Sequence, residues 1–498
     1  MSATRKRKPI ATGSDWNFNL LERFDAELAR LADEYRLDTY PNQIEVITTE
    51  QMMDAYASVG MPVGYHHWSF GKQFLAVEGA YKRGQMGLAY ELVINSDPCI
   101  AYLMEENTLM MQVLVMAHAC YGHNSFFKGN YLFRTWTDAS SIVDYLVFAR
   151  KYIAQCEERH GVQAVEQLLD ACHALQNYGV DRYKRPSPIS AEEEAKRQDE
   201  REAYLQTQVN MLWRTIPEPP TGESSLPGSL HNANDDDPLG LHSGGLYPSE
   251  PQENLLYFIE KNAPLLAPWQ REIVRIVRKL AQYFYPQRQT QVMNEGWACF
   301  WHYTLMNRLY DDGNVDEGLM LEFLQSHAAV INQPAFDSPN AEDREWFPDI
   351  AGTPWRETVE FAMRNFKDES FIQQFLSPKV MRDHKLFLVV DDDQLEALEV
   401  AAIHNEQGYR QVREALATQY ALSVREPNIQ VVEAAIRGDR SLTLHHVQDN
   451  RRPLGRSVYP VIRHLQQLWG FPVHLVSMEE GQVTRRFHWP VEDDNHAS

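Results

Sequence analysis

The sequence predicts an α+β protein that is mostly α. A large helical domain spans residues 14–384, and a smaller C-terminal α+β domain of two β-α-β-β units spans 385–490. Three observations carry this. Apolar residues recur at helical spacing through most of the first domain, and the period changes after residue 384. A chain of 498 residues is also too long for one ordinary core.

Residues 1–13, with "RKRKP", read as a disordered basic tail. "WNFNLLERFDAELARLADEYRL" and "ASSIVDYLVFARKYIAQCEERHG" follow as amphipathic helices, the second stopped by its glycine. Between them "LAYELVINSDPCIAYLM" alternates around an "NSDP" turn and reads as a β-hairpin or extended pair. A helix beginning near "ENT" comes next and carries two histidines. Residues 214–253 are dominated by Gly, Pro, Ser, Asn and Asp and read as a flexible insertion, with His231 and His242 as exposed loop residues. Helices resume through about residue 376. In the C-terminal domain "KLFLVVDDD" reads as a strand, "NEQGYRQVREALATQYA" as a helix, and "YALSV" and "IQVVEAAI" as strands. The order then recurs as "LTLHHV", "SVYPVIRHLQQLWG", "PVHLVSM" and "QVTRRFHW", an internal pseudo-repeat. Residues 491–498 form an acidic tail.

The formal charge of −22, from 69 acidic and 47 basic residues, argues against nucleic-acid binding, which needs a basic surface. Five scattered cysteines (99, 120, 156, 172 and 299) without a CxxC pair suit free thiols in a reducing compartment. With no apolar leader and no segment apolar enough to span a bilayer, the expected location is cytoplasmic.

Two stretches bear on chemistry. In "VLVMAHACYGHNSFFKGN", His118 and His123 stand five apart. On an ideal α-helix residues five apart point about 140° away from each other, so the pair converges only if the helix bulges or ends there, and Gly122 permits that. In "MNEGWACFWHYTLMNRLY", Glu295 and His302 are seven apart and share a helical face. A carboxylate on such an apolar helix is costly to bury unless it meets a cation or hydrogen-bond donors. Asn294 or Glu295 serving as a helix cap, and His118 bonded to backbone carbonyls, are the plainer readings.

The stretches "HACYGHNSFFKGNYLFRTWTDASSIVDYL", "MNEGWACFWHY" and "DREWFPDIAG…FAMRNFKDESFIQQFLSPKVMRDHKLF" resemble the SpoVR (stage V sporulation protein R) family over nearly the whole chain. That family is associated with the spore cortex and also occurs in bacteria that never sporulate, and the sequence is similar to this second kind. A more distant likeness is to atypical zinc carboxypeptidases with an HExxxH helix and a later EGLA-type helix. It implies a gluzincin-like core in which His118, His123 and Glu295 bind zinc. His302 and Asn124 are expected to support these ligands. There are two departures. Ala119 stands where that group has its catalytic glutamate, and the chain passes straight from Pro339 to Glu342 where the family pattern implies a further helical segment with an NPY motif.

Competing functions follow. One is a zinc-dependent hydrolase of an amide bond in a peptide or peptidoglycan-related substrate, with Glu106 as substitute base and Tyr303 polarising the carbonyl. The other is a regulatory scaffold that retains a structural metal and binds a protein partner through its C-terminal domain, a reading that Ala119 favours. A di-iron bundle requires Glu-x-x-His on paired helices, which these motifs lack.

Overall fold

The computed structural model describes residues 8–58, 64–82, 91–182, 248, 250–331, 356–383, 386, 388–392, 397–402, 405–435, 439–448, 453–455 and 457–490. Most of the 214–253 insertion, the acidic tail and the step at Pro339 lie outside them.

Helix α1 (Phe18–Glu34) begins where the Asn17 side chain accepts from the Leu20 N–H. Phe24, Leu28 and Leu31, at i, i+4 and i+7, lose all exposure, and each such burial stabilises by roughly 1.5–3 kcal/mol. Strand β1 (Asn42–Ile47), α2 (Thr49–Ala57) and α3 (Trp68–Lys82) lead to β2 (Glu91–Ile94) and β3 (Cys99–Met104). The last two are antiparallel around the expected turn, and β1 lies parallel on the other side of β3, giving the order β1-β3-β2. Sequence reasoning did not find β1, because its partner lies more than fifty residues away and follows two helices.

Helix α4 (Leu109–Met116) starts at the Thr108 cap, runs into a π-helical segment (Ala117–His123), and continues as α5 (Asn124–Gly129). Next come α6 (Tyr131–Trp136), α7 (Ile142–His160), closed by Gly161 at φ 89°, and α8 (Val162–Ala174). After the insertion stand α9 (Leu255–Asn262), α10 (Pro268–Gln289), α11 (Gln291–Asp311) and α12 (Glu317–Ile331). They are followed by α13 (Arg356–Asn365), α14 (Asp368–Phe375) and α15 (Pro378–Asp383).

The C-terminal part contains β4 (Leu388–Asp392), β5 (Ala397–Ala402), α16 (Glu406–Tyr420), α17 (Leu422–Arg425), β6 (Asn428–Ala434), β7 (Leu442–Val447), α18 (Val458–Trp469), β8 (Val473–Glu479) and β9 (Gln482–Trp489). The second expected β-α-β-β unit is present as β7-α18-β8-β9. The first is not formed as expected: β4 and β5 make their own two-stranded sheet, and "ALSVR" is helical, capped at Ala421. Strand β6 instead joins β7, completing a four-stranded sheet in the order β6-β7-β8-β9. That sheet and α18 share one apolar core with α7, α8, α9 and α10. A second core gathers α1, β3, α4, the π segment, α11 and α12. The aromatic cluster of Phe126, Phe127, Phe133, Trp297 and Trp301 seals the side toward α5 and α6.

No described helix is long and apolar enough to cross a membrane, and none of the five cysteines is in a disulfide.

Candidate metal centre

The π segment resolves the spacing of the histidines. The backbone N–H of Asn124 bonds to Ala119 O, an i→i+5 link. In such a ladder residues five apart fall about one turn apart and share a face. His118 and His123 therefore stand together, their ring centres 4.6 Å apart and nearly perpendicular. The bulge that the histidine pair requires is present, and Gly122 lies within it. The glycine is part of the helical ladder and lets α11 come close: a Cβ placed on it would meet Ala298 Cα at 2.6 Å. Trp297 donates to Ser125 Oγ at 2.8 Å, and Ser125 in turn bonds Tyr121 O and Gly122 O, fixing the crossing.

Helix α11 is held from its start by buried Asp368, whose carboxylate accepts the N–H groups of Val292 and Met293 at 3.0 and 2.9 Å. A carboxylate there answers both orphan donors and the helix dipole. The expected capping role of Asn294 or Glu295 is thus taken by Asp368 from another helix, with the cap position itself at Thr290. Asn294 and Glu295 are free to face the histidines.

Four side chains meet. His118 Nε2 lies 3.3 Å from Glu91 Oε1 and 3.4 Å from Glu295 Oε2. His123 Nε2 lies 3.6 Å and 3.7 Å from the same two oxygens. Asn294 Oδ1 stands 2.9 Å from His123 Nδ1 and accepts its proton, so Nε2 is the nitrogen turned inward to the two carboxylates. His118 Nδ1 faces His302 Nδ1 at 2.8 Å, and His302 Nε2 faces His327 Nδ1 at 2.8 Å, so three imidazoles run in line. The histidine side chains are nearly closed off, whereas Glu295 keeps 34% of its side-chain surface exposed.

Electrostatics mark the centre as a seat for positive charge. Burial opposes protonation of His123, but Glu295 and Glu91 outweigh it and raise its pKa to about 9. Burial would likewise lift Glu295, yet His123 and His118 pull it down to about 2. His302, fully buried beside His118 and His327, is held well below the ordinary imidazole range and stays neutral. Glu91 Oε2 is buried and meets no hydrogen-bond donor among the described residues. Glu91, His118 and His123 offer donor atoms within 4.8 Å of one another, a set of imidazoles and carboxylate that suits a divalent cation.

Of the residues the sequence singled out, the structure thus brings His118, His123, Glu295 and His302 together. Asn124 is not turned to this cluster. Its amide bonds the Tyr40 backbone and Asn42 Oδ1, and Asn294 is the amide that reaches a histidine. Glu106 takes a 2.5 Å hydrogen bond from the Thr49 hydroxyl in the turn before α4. The eight residues of α4, about 12 Å of helix, separate it from the π segment. Tyr303 packs its ring 5.0 Å from that of His327 and lines a groove of about 310 Å³ with Tyr35, Phe300 and Arg308. Neither of these two expected catalytic groups contacts the four-residue cluster. Sequence reasoning missed Glu91 and His327. The signal available for Glu91 was a lone carboxylate in the apolar strand "ELVI" of the hairpin that precedes the histidine helix.

The fold and this cluster define a mostly helical α+β protein with a buried His/Glu cluster whose side chains could hold a metal ion. The model of the SpoVR like protein family matches residues 15–338 and 332–425, and that of the SpoVR-like C-terminal domain matches 427–480. The chain belongs to the SpoVR family. It is similar to the uncharacterized protein YcgB of Escherichia coli (strain K12), with 61% identity over 496 residues, covering 95% of this chain and 94% of that protein. No solved structure matches.

Proposed function

We propose that this SpoVR-family protein is a zinc-dependent hydrolase of an amide bond in a peptide or a peptidoglycan-related molecule. His118, His123 and Glu295 would hold the ion, and Glu91 stands in for the glutamate missing at Ala119. The observation that carries the reading is the Glu91 carboxylate: one oxygen faces both histidines, and the other is buried without a donor.

Zinc bound there would supply Lewis acidity to a carbonyl and lower the pKa of water. The chain's own residues do the rest. Asn294 and His302 hold the two ligand imidazoles with Nε2 inward. Glu91, through the Oε1 that faces both histidines, accepts the proton of an attacking water and returns it to the leaving amine. Closure on the histidine side excludes bulk water, and the exposed edge of Glu295 marks the side of substrate entry.

The test is cleavage of peptides and peptidoglycan fragments by zinc-loaded protein, beside Glu91→Gln. The reading predicts turnover in the parent and a loss of at least 100-fold in Glu91→Gln with zinc retained. Glu91→Gln at parental rate, or a zinc-loaded parent inert on every amide tried, would overturn it. A second reading has one observation in its favour: Ala119 is fully buried and brings no carboxylate to the centre. In that reading the same cation is structural, and the C-terminal sheet binds a protein partner.

A further inference from the structure

Beyond the first centre, a second set of donors lies on the far side of His118. Glu295, Cys299 and His302 are i, i+4 and i+7 on α11 and line one face. His118, Cys299 and His302 offer donor atoms all within 4.8 Å of one another. The contact at its middle is the 2.8 Å approach of His118 Nδ1 to His302 Nδ1. Two such nitrogens share a single proton, and a cation can take that proton's place.

We propose that Cys299, His302 and His118 form a second cation site, with His118 bridging it to the first centre through its imidazole ring. The inference rests on His118 serving the first centre through Nε2. With Nε2 so committed, the remaining His118 proton sits on Nδ1 and points at His302 Nδ1. Binding of the second ion expels that proton and the Cys299 thiol proton, leaving an imidazolate between two cations and a thiolate on one. The hydrogen bond from His302 Nε2–H to His327 Nδ1 is unchanged by the exchange and anchors the new ligand from behind.

The geometry asks for little movement. Two nitrogens on a tetrahedral ion at about 2.0–2.1 Å lie roughly 3.3 Å apart, so the Nδ1 pair has to open by about half an ångström. A thiolate with two imidazoles is the softer of the two donor sets and suits zinc-class ions, while the carboxylate-rich first centre is the harder. The chemical class of the ligand is therefore a borderline divalent transition-metal ion, and the two positions differ in preference.

The experiment is titration of metal-stripped full-length protein with Co²⁺, followed by absorption and by bound-metal analysis. Two equivalents are expected, one of them bringing a thiolate-to-cobalt charge-transfer band. Cys299→Ser should lose that band and one equivalent while keeping the other, with its helical circular dichroism unchanged. His123→Ala should keep the band and lose the carboxylate-bound equivalent. A single equivalent in the parent without the band overturns the second site while leaving the first centre standing, and a single equivalent with the band overturns the paired arrangement and empties the first centre. No bound cobalt at all overturns both.

Discussion

The backbone of Gly122 approaches Ala298 so closely that a Cβ on the glycine would fall 2.8 Å from the alanine's own Cβ. This contact presses the π segment against α11 and so sets the distance between the histidines and Glu295. Gly122→Ala should therefore destabilise the protein by about 1–3 kcal/mol through overpacking and weaken metal retention as well. Thermal unfolding and bound-metal analysis check both. A variant with parental melting and parental metal would show that the crossing has slack.

Asn294 orients His123 by accepting from its Nδ1. Asn294→Ala removes the acceptor without touching a proposed ligand, and supporting partners of this kind are worth about 10–100-fold in metal affinity. Competition with a chromophoric chelator should show a drop of that size. An unchanged affinity would mean that the ring is positioned by packing against Phe127 alone.

Asp368 accepts two N–H groups at the start of α11 while almost fully buried. Asp368→Ala leaves both donors unanswered and should lower stability by about 2 kcal/mol or more, read as a shift in the urea midpoint. Asp368→Asn, which still offers one oxygen, should fall between. Equal midpoints for all three would remove Asp368 from the account of how Glu295 is placed.

What the sequence disclosed and what it hid divide along physical lines. Local signals were readable: the amphipathic first helix, the stop at Gly161, the hairpin turn before Cys99, and the β7-α18-β8-β9 unit. Glu295 and His302 also emerge from helical spacing alone. Long-range choices were not readable. A bulge at the histidine pair was one of two ways the five-residue spacing could converge, but nothing in "AHACYGH" chose it over a helix end, and the packing of Gly122 on Ala298 is a long-range contact. Glu91 reaches the histidines because strand pairing in β2 and β3 carries it there, and Asn294 takes the place expected of Asn124 because the Asn124 amide is engaged by Tyr40 and Asn42. Likewise "YALSV" has strand-like composition, but the chain turns helical at Leu422 before β6 enters the sheet.

A separate cluster makes a pH prediction. Tyr65 OH lies 2.6 Å from His173 Nε2 and donates to it. Burial, reinforced by His67 and opposed by Asp170, lowers the His173 pKa to about 4. Above pH ~6.5 the imidazole is neutral whether the chain is folded or not. As pH falls from there toward 4, the unfolded chain binds a proton that the folded protein does not. Stability should then drop by about 1.4 kcal/mol per pH unit, up to about 3 kcal/mol in all. Urea midpoints across this range should fall more steeply for the parent than for His173→Gln. Parallel curves would show that His173 titrates normally in the folded protein.

The most direct measurement is metal content by mass spectrometry on protein purified gently with zinc available, beside His118→Ala, His123→Ala and Glu295→Ala. The account predicts stoichiometric zinc in the parent and its loss in His123→Ala and Glu295→Ala from the carboxylate-bound centre, each with helical content intact. In His118→Ala, both bound positions should empty. A parent without stoichiometric metal, or variants that retain all of it, would contradict the centre itself.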